Sequence, residues 1–160
     1  MKQLKNLFFL AILSCSISSL SAQKIGPGVA IQLDGGNFGL GAQGLFSITD
    51  DIDIAPAVTY YFTENVAQVS TSIIIVEADG HYNFGISDNL TLHPLVGLSY
   101  LSVSANVGGF KVSTGTFALN LGGGVILNKE EKLSYFGKLK LTTANGGGGL
   151  TIFGGLYFSL

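Results

Sequence analysis

Eight short runs of alternating apolar and small or polar residues make up almost the whole chain after its N-terminal segment. Alternation with a period of two is typical of strands whose two faces meet different surroundings. No apolar stretch approaches the roughly 20 residues that a membrane-spanning helix needs. Only helices and closed barrels satisfy every backbone polar group inside lipid, so a membrane protein built from such runs must be a closed barrel. A water-soluble barrel has the same period, and the two differ in which side chains face outward.

The first 22 residues have the composition of a secretory signal peptide. Lys2 and Lys5 precede a short apolar segment at residues 7–13, and serine-rich sequence then continues to Ala22. The apolar segment is too short to cross a membrane as a helix. We therefore predict a signal peptide over residues 1–22, which is cleaved during export through the inner membrane.

The remaining residues, 23–160, are one domain's worth of chain. They hold six lysines, no arginine and ten acidic residues, a net charge of −4, and charged residues make up 11% of the full sequence. Soluble domains usually carry about 25% charged residues, so little of this surface is expected to face water. The scarcity of basic residues argues against a nucleic-acid partner. The only cysteine, Cys15, lies in the predicted signal, where it loosely resembles a lipoprotein acylation site.

The alternating runs predict eight strands, each about as long as the ~9–11 residues with which a tilted strand crosses the hydrocarbon. Compact polar sequences connect some of them, whereas the connections between the others are longer and rich in Gly, Ser, Asn and Thr. Short turns at one end, longer loops at the other and both termini at the short-turn end are typical of outer-membrane barrels. The predicted strands are 25–34, 38–49, 52–63, 72–86, 90–102, 115–127, 133–142 and 150–160, and the predicted long loops are 64–71, 103–114 and 143–149.

A weak internal repeat supports this register. Residues 51–62 align with residues 89–100, and Pro56 matches Pro94. Proline cannot donate to a strand ladder and avoids central strands. Because both prolines lie near the short-turn end of their strands, we expect a bulge to accommodate them.

The aromatic residues decide which face is outside. One alternate set of each run is apolar, and its rings gather at the two ends of the strands with mostly aliphatic residues between them. Rings favour the two interfaces of a bilayer, so this sorting predicts two aromatic belts on a lipid-facing wall. The belt residues are Phe38, Tyr60, Phe62, Tyr100 and Phe117 at the long-loop end, and Phe46, Phe84, Tyr135 and Phe158 at the short-turn end. The fold class expected is all-β: a closed eight-stranded antiparallel up-and-down transmembrane β-barrel.

The complementary set of side chains is polar and contains a cluster of charges. Glu77, Asp79 and His81 lie on one predicted strand, and Lys138 and Lys140 on another. An eight-stranded barrel is just wide enough to be filled by side chains, and buried charges need partners. We therefore predict a structural plug of ion pairs and hydrogen bonds in the lumen, in which equal residue counts from the turns place Asp79 level with Lys140 and His81 level with Lys138. A proton or ion path is the alternative.

Neither histidine predicts catalysis or metal binding. His81 and His93 lack a suitably spaced serine, and no Gly-x-Ser-x-Gly motif is present. A metal site at His81 and Asp79 would need a third converging ligand. The glycines at residues 146–149 have no lysine after them and indicate a loop tip, not a phosphate cradle. We expect no catalytic residue, no metal and no cofactor.

With these features the chain resembles the small outer-membrane β-barrel proteins of Gram-negative bacteria, the OmpX- and opacity-protein-like porin family. The resemblance covers residues 23–160 and rests on the related segments 52–58 and 90–96, the sequence at 120–125 (NLGGGV), and the C-terminal strand. That strand reads GLYFSL at residues 155–160, which resembles the assembly signal of the family, with Leu160 where the family usually has an aromatic residue.

The resemblance implies an eight-stranded barrel in the cell outer membrane, surrounded by outer-membrane lipid and inserted by the barrel-assembly machinery. The functions of such barrels vary from adhesion to unknown; together with the absence of a catalytic motif, this predicts a structural or surface-interaction role without catalysis, for which the sequence names no ligand. Two alternatives remain at this point: a narrow pore or transport barrel, and a secreted, lipocalin-like soluble binding barrel.

Overall fold

The structure is a computed structural model and describes residues 21–63, 69–107, 110–144 and 147–160. Residues 1–20 of the predicted signal peptide, with Cys15 among them, lie outside the described residues. Within the part of the chain that is described, no helix is long and apolar enough to cross a membrane.

The described residues form a single antiparallel sheet that closes on itself. Its neighbours follow the order β4-β3-β2-β1-β9-β8-β7-β6, and β4 then pairs with β6 to complete the ring. β5 continues β4 after an interruption at Asn83 and pairs with the same neighbour, so the wall has eight strands. This confirms the predicted closed eight-stranded barrel. The strands are β1 (Ser21–Gln32), β2 (Phe38–Ser47), β3 (Ile52–Phe62), β4 (Val69–Tyr82), β5 (Phe84–Ser87), β6 (Leu90–Val107), β7 (Phe110–Leu127), β8 (Leu133–Ala144) and β9 (Gly147–Ser159).

The two ends of the barrel differ. The turn end carries the connections β2–β3, β5–β6 and β7–β8 together with the start of β1 and the end of β9; the loop end carries the other connections. At the turn end, Asn128 adopts a left-handed conformation with φ 57°, which asparagine tolerates better than most residues. Both ends of the described chain therefore lie at the turn end.

The wall of the barrel is apolar outside and largely polar inside. Outward residues such as Val58, Leu98 and Leu121 are about half exposed, whereas inward residues such as Asp53, Asp79 and Asn120 are fully buried. Among the strand residues whose side chains are described, Lys111 is the one charged group on the outward face. This is the polarity of a lipid-facing barrel and the reverse of a soluble one.

The prolines interrupt the ladder without a bulge. The register of β3 with β4 continues through Pro56, and that of β6 with β7 continues through Pro94. Beside Pro56 the pairing of β3 with β2 is interrupted and resumes in the same register. Beside Pro94 the pairing of β6 is interrupted between β4 and β5 and likewise resumes in the same register. The missing N–H of Pro94 faces the junction of β4 and β5, which accounts for the break at Asn83. The expected bulges are therefore wrong.

Three strands extend beyond the rest of the wall at the loop end. We call residues 69–75 of β4, 101–107 of β6 and 110–117 of β7 the projecting sheet; residues 72–75 at its base still pair with the end of β3. Continuous pairing joins β4 to β6 as far as Val107 and β6 to β7 as far as Phe110, whereas β8 joins β7 only from Ala118. The long loop predicted at 103–114 is thus wrong for all its described residues, and the described residues of the predicted loops 64–71 and 143–149 that follow position 68 are also strand.

Candidate functional site

Three acid–base pairs cross the lumen near its middle. Lys138 Nζ lies 2.9 Å from Glu77 Oε1 and 2.8 Å from Asp79 Oδ2, and Lys140 Nζ pairs with the other oxygen of Glu77. All four side chains are buried. Because β4 and β8 are not neighbours in the sheet, these pairs tie opposite parts of the wall together. We call the four residues the ion-pair cluster.

Neutral side chains complete the bonding of this cluster. Asn120 Nδ2 donates to Asp79 Oδ1 at 2.8 Å, and Asn120 Oδ1 accepts from Thr142 at 3.0 Å and from Ser99 at 3.2 Å. Buried polar networks stabilise a structure only when their members are satisfied. Here strands β4, β6, β7 and β8 each supply a member.

The pairs differ from those that equal residue counts predict. Asp79 pairs with Lys138, not with Lys140, and Lys140 reaches Glu77. Strands in a barrel tilt and are staggered relative to one another, so residues equally far from the turns lie at different heights. His81, which the counts place beside Lys138, instead packs on His93.

The two histidines form a stacked pair below the ion-pair cluster. Their ring centroids lie 4.2 Å apart with an angle of 14° between the planes, and both residues are buried. No protein group among the described residues hydrogen-bonds to either ring. Parallel rings do not direct their nitrogens to one point, and no group of three or more metal-ligating side chains occurs in the described part of the chain.

A second ionic contact closes the turn end. Asp53 is fully buried, and its carboxylate forms an ion pair with Lys129 at 2.9 Å. The same carboxylate accepts hydrogen bonds from Ser47 at 2.6 Å and from Asn83 at 2.8 Å. Lys129 belongs to the β7–β8 turn, which therefore folds back beneath the lumen.

Lys24 strengthens the same closure. Its Nζ donates to the carbonyl oxygen of Glu131 at 2.5 Å and to Ser134 at 2.9 Å. The sequence reasoning missed Lys24 and Lys129. The polar sequence at 128–132 predicts a turn, but nothing in it shows which strand its lysine contacts.

Aromatic rings fill the lumen beside the ion pairs, and the sequence reasoning missed them as well. Phe136 stacks on Tyr157 with centroids 4.3 Å apart, and Lys138 Nζ lies 5.3 Å from the centre of the Phe153 ring. Gln43 donates to the hydroxyl of Tyr157. A Cβ at Gly28 would lie 2.7 Å from the Phe153 ring. Small residues on one strand thus make room for large ones on its neighbour, a pairing that shows only once the register is known.

The nine residues of the predicted belts all lie on the outward face. Phe38 and Phe62 stack at 6.3 Å, and Tyr100 and Phe117 pack at 5.0 Å, near the loop end. At the turn end Phe84 packs on Tyr82 at 4.9 Å, and Phe46, Tyr135 and Phe158 occupy other strands at that end. Cross-strand and same-face contacts thus join several belt members directly.

Three solved bacterial structures share this architecture. The N-terminal β-barrel domain of Pseudomonas aeruginosa OprF matches with a TM-score of 0.71 at 16% identity, over 88% of this chain and 98% of that chain. Neisserial surface protein A matches with a TM-score of 0.68 at 14% identity, over 87% and 96%. Ail, the attachment invasion locus protein of Yersinia pestis, matches with a TM-score of 0.63 at 14% identity, over 87% and 97%. Ail has also been solved in complex with the heparin analogue sucrose octasulfate.

The chain has the fold of the small outer-membrane β-barrels. This confirms, for the fold, the resemblance inferred from the sequence. No protein-family description and no curated protein sequence matches the chain.

Proposed function

We propose that this protein is an integral barrel of the outer membrane that presents an interaction surface to the outside and carries out no catalysis. The observation that carries the proposal is the polarity of the wall, which is apolar outside between two sets of aromatic rings and ionic inside. Such a surface is stable in lipid and not in water. It argues against the secreted, lipocalin-like alternative.

The contents of the lumen argue against a pore. The ion-pair cluster, the histidine pair and the rings of Phe136, Phe153 and Tyr157 fill the section between the ends, and the β7–β8 turn closes the turn end through Lys129. A conducting path would require breaking ion pairs that are buried from solvent, which costs several kcal/mol per pair. The barrel therefore serves as a scaffold.

The projecting sheet is the part of this scaffold that suits interaction. Its outer part extends beyond Phe62 and Phe117, toward the side where outer-membrane barrels expose their extracellular loops. Ail is an attachment and invasion protein by its name, which supports a comparable surface role for the present fold. The charge differs from that expected for a polysulfated ligand, since Lys111 is the one basic residue among the described residues of the projecting sheet.

The cellular setting follows from the same proposal. The signal peptide directs export, outer-membrane lipid surrounds the aliphatic band, and the barrel-assembly machinery inserts the chain. With the turn end in the periplasm, both chain ends lie there.

Electrical recording tests the proposal directly. The purified protein, reconstituted in planar bilayers, should show no stable conductance, and its unboiled and boiled forms should migrate differently in SDS gels because the folded barrel resists the detergent. Reproducible open channels would establish the pore alternative instead. Recovery of the mature chain in the soluble periplasmic fraction would overturn the membrane location.

A further inference from the structure

The polarity of the wall inverts where the projecting sheet begins. On β6 the outward side chains change from Leu98 and Tyr100 to Ser102 and Ser104, while the inward ones change from Ser99 to Leu101 and Val103. The strand continues unbroken across this point, so alternation places the apolar side chains on the inner face.

The inner face of the neighbouring strand β4 changes at the same height. On β4 the inward residues change from Glu77 to Ile75 and Ile73, which lie opposite Leu101 and Val103 of β6. On β7 the inward residues opposite Leu101 and Val103 are Thr116 and Thr114, and apolar residues occupy the inner face only further out, at Val112 and Phe110. Val112 is 68% exposed and Phe110 is 81% exposed. β4 and β6 thus present an apolar inner wall above the lumen, and Val112 and Phe110 of β7 extend it toward the tip of the projecting sheet.

A cavity lies at the foot of this wall. It has a volume of about 440 Å³, and Ile75 and Leu101 form part of its lining together with the small residues at the start of β9. That volume is within the range of small-molecule pockets and far too small for a folded domain. We call it the mouth cavity.

Three polar side chains in the lining of the mouth cavity are hydrogen-bonded within the protein. Gln32 Oε1 accepts from Asn37 at 3.0 Å, Asp34 Oδ2 accepts from the backbone N–H of Leu150 at 2.5 Å, and Thr142 donates to Asn120 at 3.0 Å. Asp34 is the only charged residue of the lining, and its carboxylate repels anions. Among the described residues the lining holds no cation to bind an anion, and Ile75, Leu101 and the glycines of β9 offer a ligand mainly apolar contact.

From this cavity and the wall above it, we propose that the mouth cavity and the inner face of the projecting sheet bind a neutral, hydrocarbon-rich small molecule from the external medium. This rests on the surface-interaction role proposed above and names its ligand class. Apolar contact supplies the affinity, and the ordered strands of the wall are already in position to bind.

The test uses the neutral apolar fluorophore N-phenyl-1-naphthylamine with the protein in lipid nanodiscs, and protein-free nanodiscs to subtract partitioning into lipid. Wild-type protein should show an additional saturable signal. Val103→Asp places a charge on the inner wall and should weaken that binding at least about tenfold. Its neighbour Ser104 points to the outer face, so Ser104→Asp is the matched control and should change binding less than twofold. The difference in SDS-gel migration on boiling shows that each variant is folded.

A second pair of variants keeps the test valid if Val103→Asp fails to fold. Val112→Asp changes a largely exposed position of the same wall and should also weaken binding, whereas Ser113→Asp on the opposite face should not. Absence of a saturable signal in wild type, or equal losses in the inner and outer variants of both pairs, would overturn the ligand proposal. In either case a heat-modifiable, non-conducting barrel would leave the proposed function standing.

Discussion

Lys138 is the lumenal residue whose removal should cost most, because its ammonium group serves two buried carboxylates. Lys138→Met would leave Asp79 without its cation and Glu77 with one in place of two. Breaking a buried pair costs about 3–5 kcal/mol when desolvation is complete, and less where water enters. We expect a clearly lowered urea midpoint in lipid vesicles, a smaller loss for Lys140→Met, and partial recovery when Asp79→Asn accompanies Lys138→Met.

The exposed turn residue Lys132 provides the control for these variants. Lys132→Met should leave the midpoint nearly unchanged, since substitutions on exposed surface are usually within about 0.5 kcal/mol. A stabilising Lys140→Met would contradict the assignment of faces, because it would mean that β8 directs this lysine into lipid.

Two glycines should respond differently to the same added methyl group. A Cβ at Gly124 would lie 2.6 Å from His93 Nε2 and 2.6 Å from the carbonyl oxygen of Gly137, whereas one at Gly137 has nothing within 4 Å. Overpacking costs about 1–3 kcal/mol, so Gly124→Ala should lower the unfolding midpoint and Gly137→Ala should not. Equal effects in the urea titration would show that the histidine pair does not occupy the space beside Gly124.

At the scale of one element, the β7–β8 turn should loosen when its lysine is removed. Lys129→Met takes one of three partners from Asp53 and leaves Ser47 and Asn83, so we expect a loss of about 1–3 kcal/mol. Hydrogen exchange measured by mass spectrometry should quicken at residues 128–132 and around Asp53. If exchange there matched that of wild type, the pair between Lys129 and Asp53 would not hold the turn in place.

At the scale of the whole molecule, the two ends of the barrel should be reachable from different compartments. The chain has one cysteine, Cys15 in the predicted signal, so introduced thiols can be read without background. A membrane-impermeant maleimide should label Val112→Cys on intact cells, and label Asp88→Cys only after the outer membrane is opened. Labelling of Asp88→Cys on intact cells would mean that the barrel is oriented the other way.

Much of the barrel could be predicted because its signal is local and repeated. Eight alternating runs and their short turns specify strands, neighbours and faces, and a shift by one residue would turn every outward side chain inward. The strand predicted to end at Ser102 continues to Val107, and the strand predicted to begin at Gly115 begins at Phe110. The prediction missed these residues because the outward side chains change there from apolar to polar. The backbone still pairs through these residues, so the strands continue with inverted polarity.

By itself, then, the sequence determined that this chain forms an eight-stranded barrel with the belt aromatics outside and Glu77, Asp79, Lys138 and Lys140 on the inward set, since a period of two assigns each residue to a face. The tertiary structure alone decided which lysine meets which carboxylate, that the two histidines stack, and that Lys129 closes the turn end. Those contacts join residues as far as 76 positions apart (Asp53 and Lys129). They depend on the tilt and stagger of the closed barrel, which the pattern within a single strand does not encode.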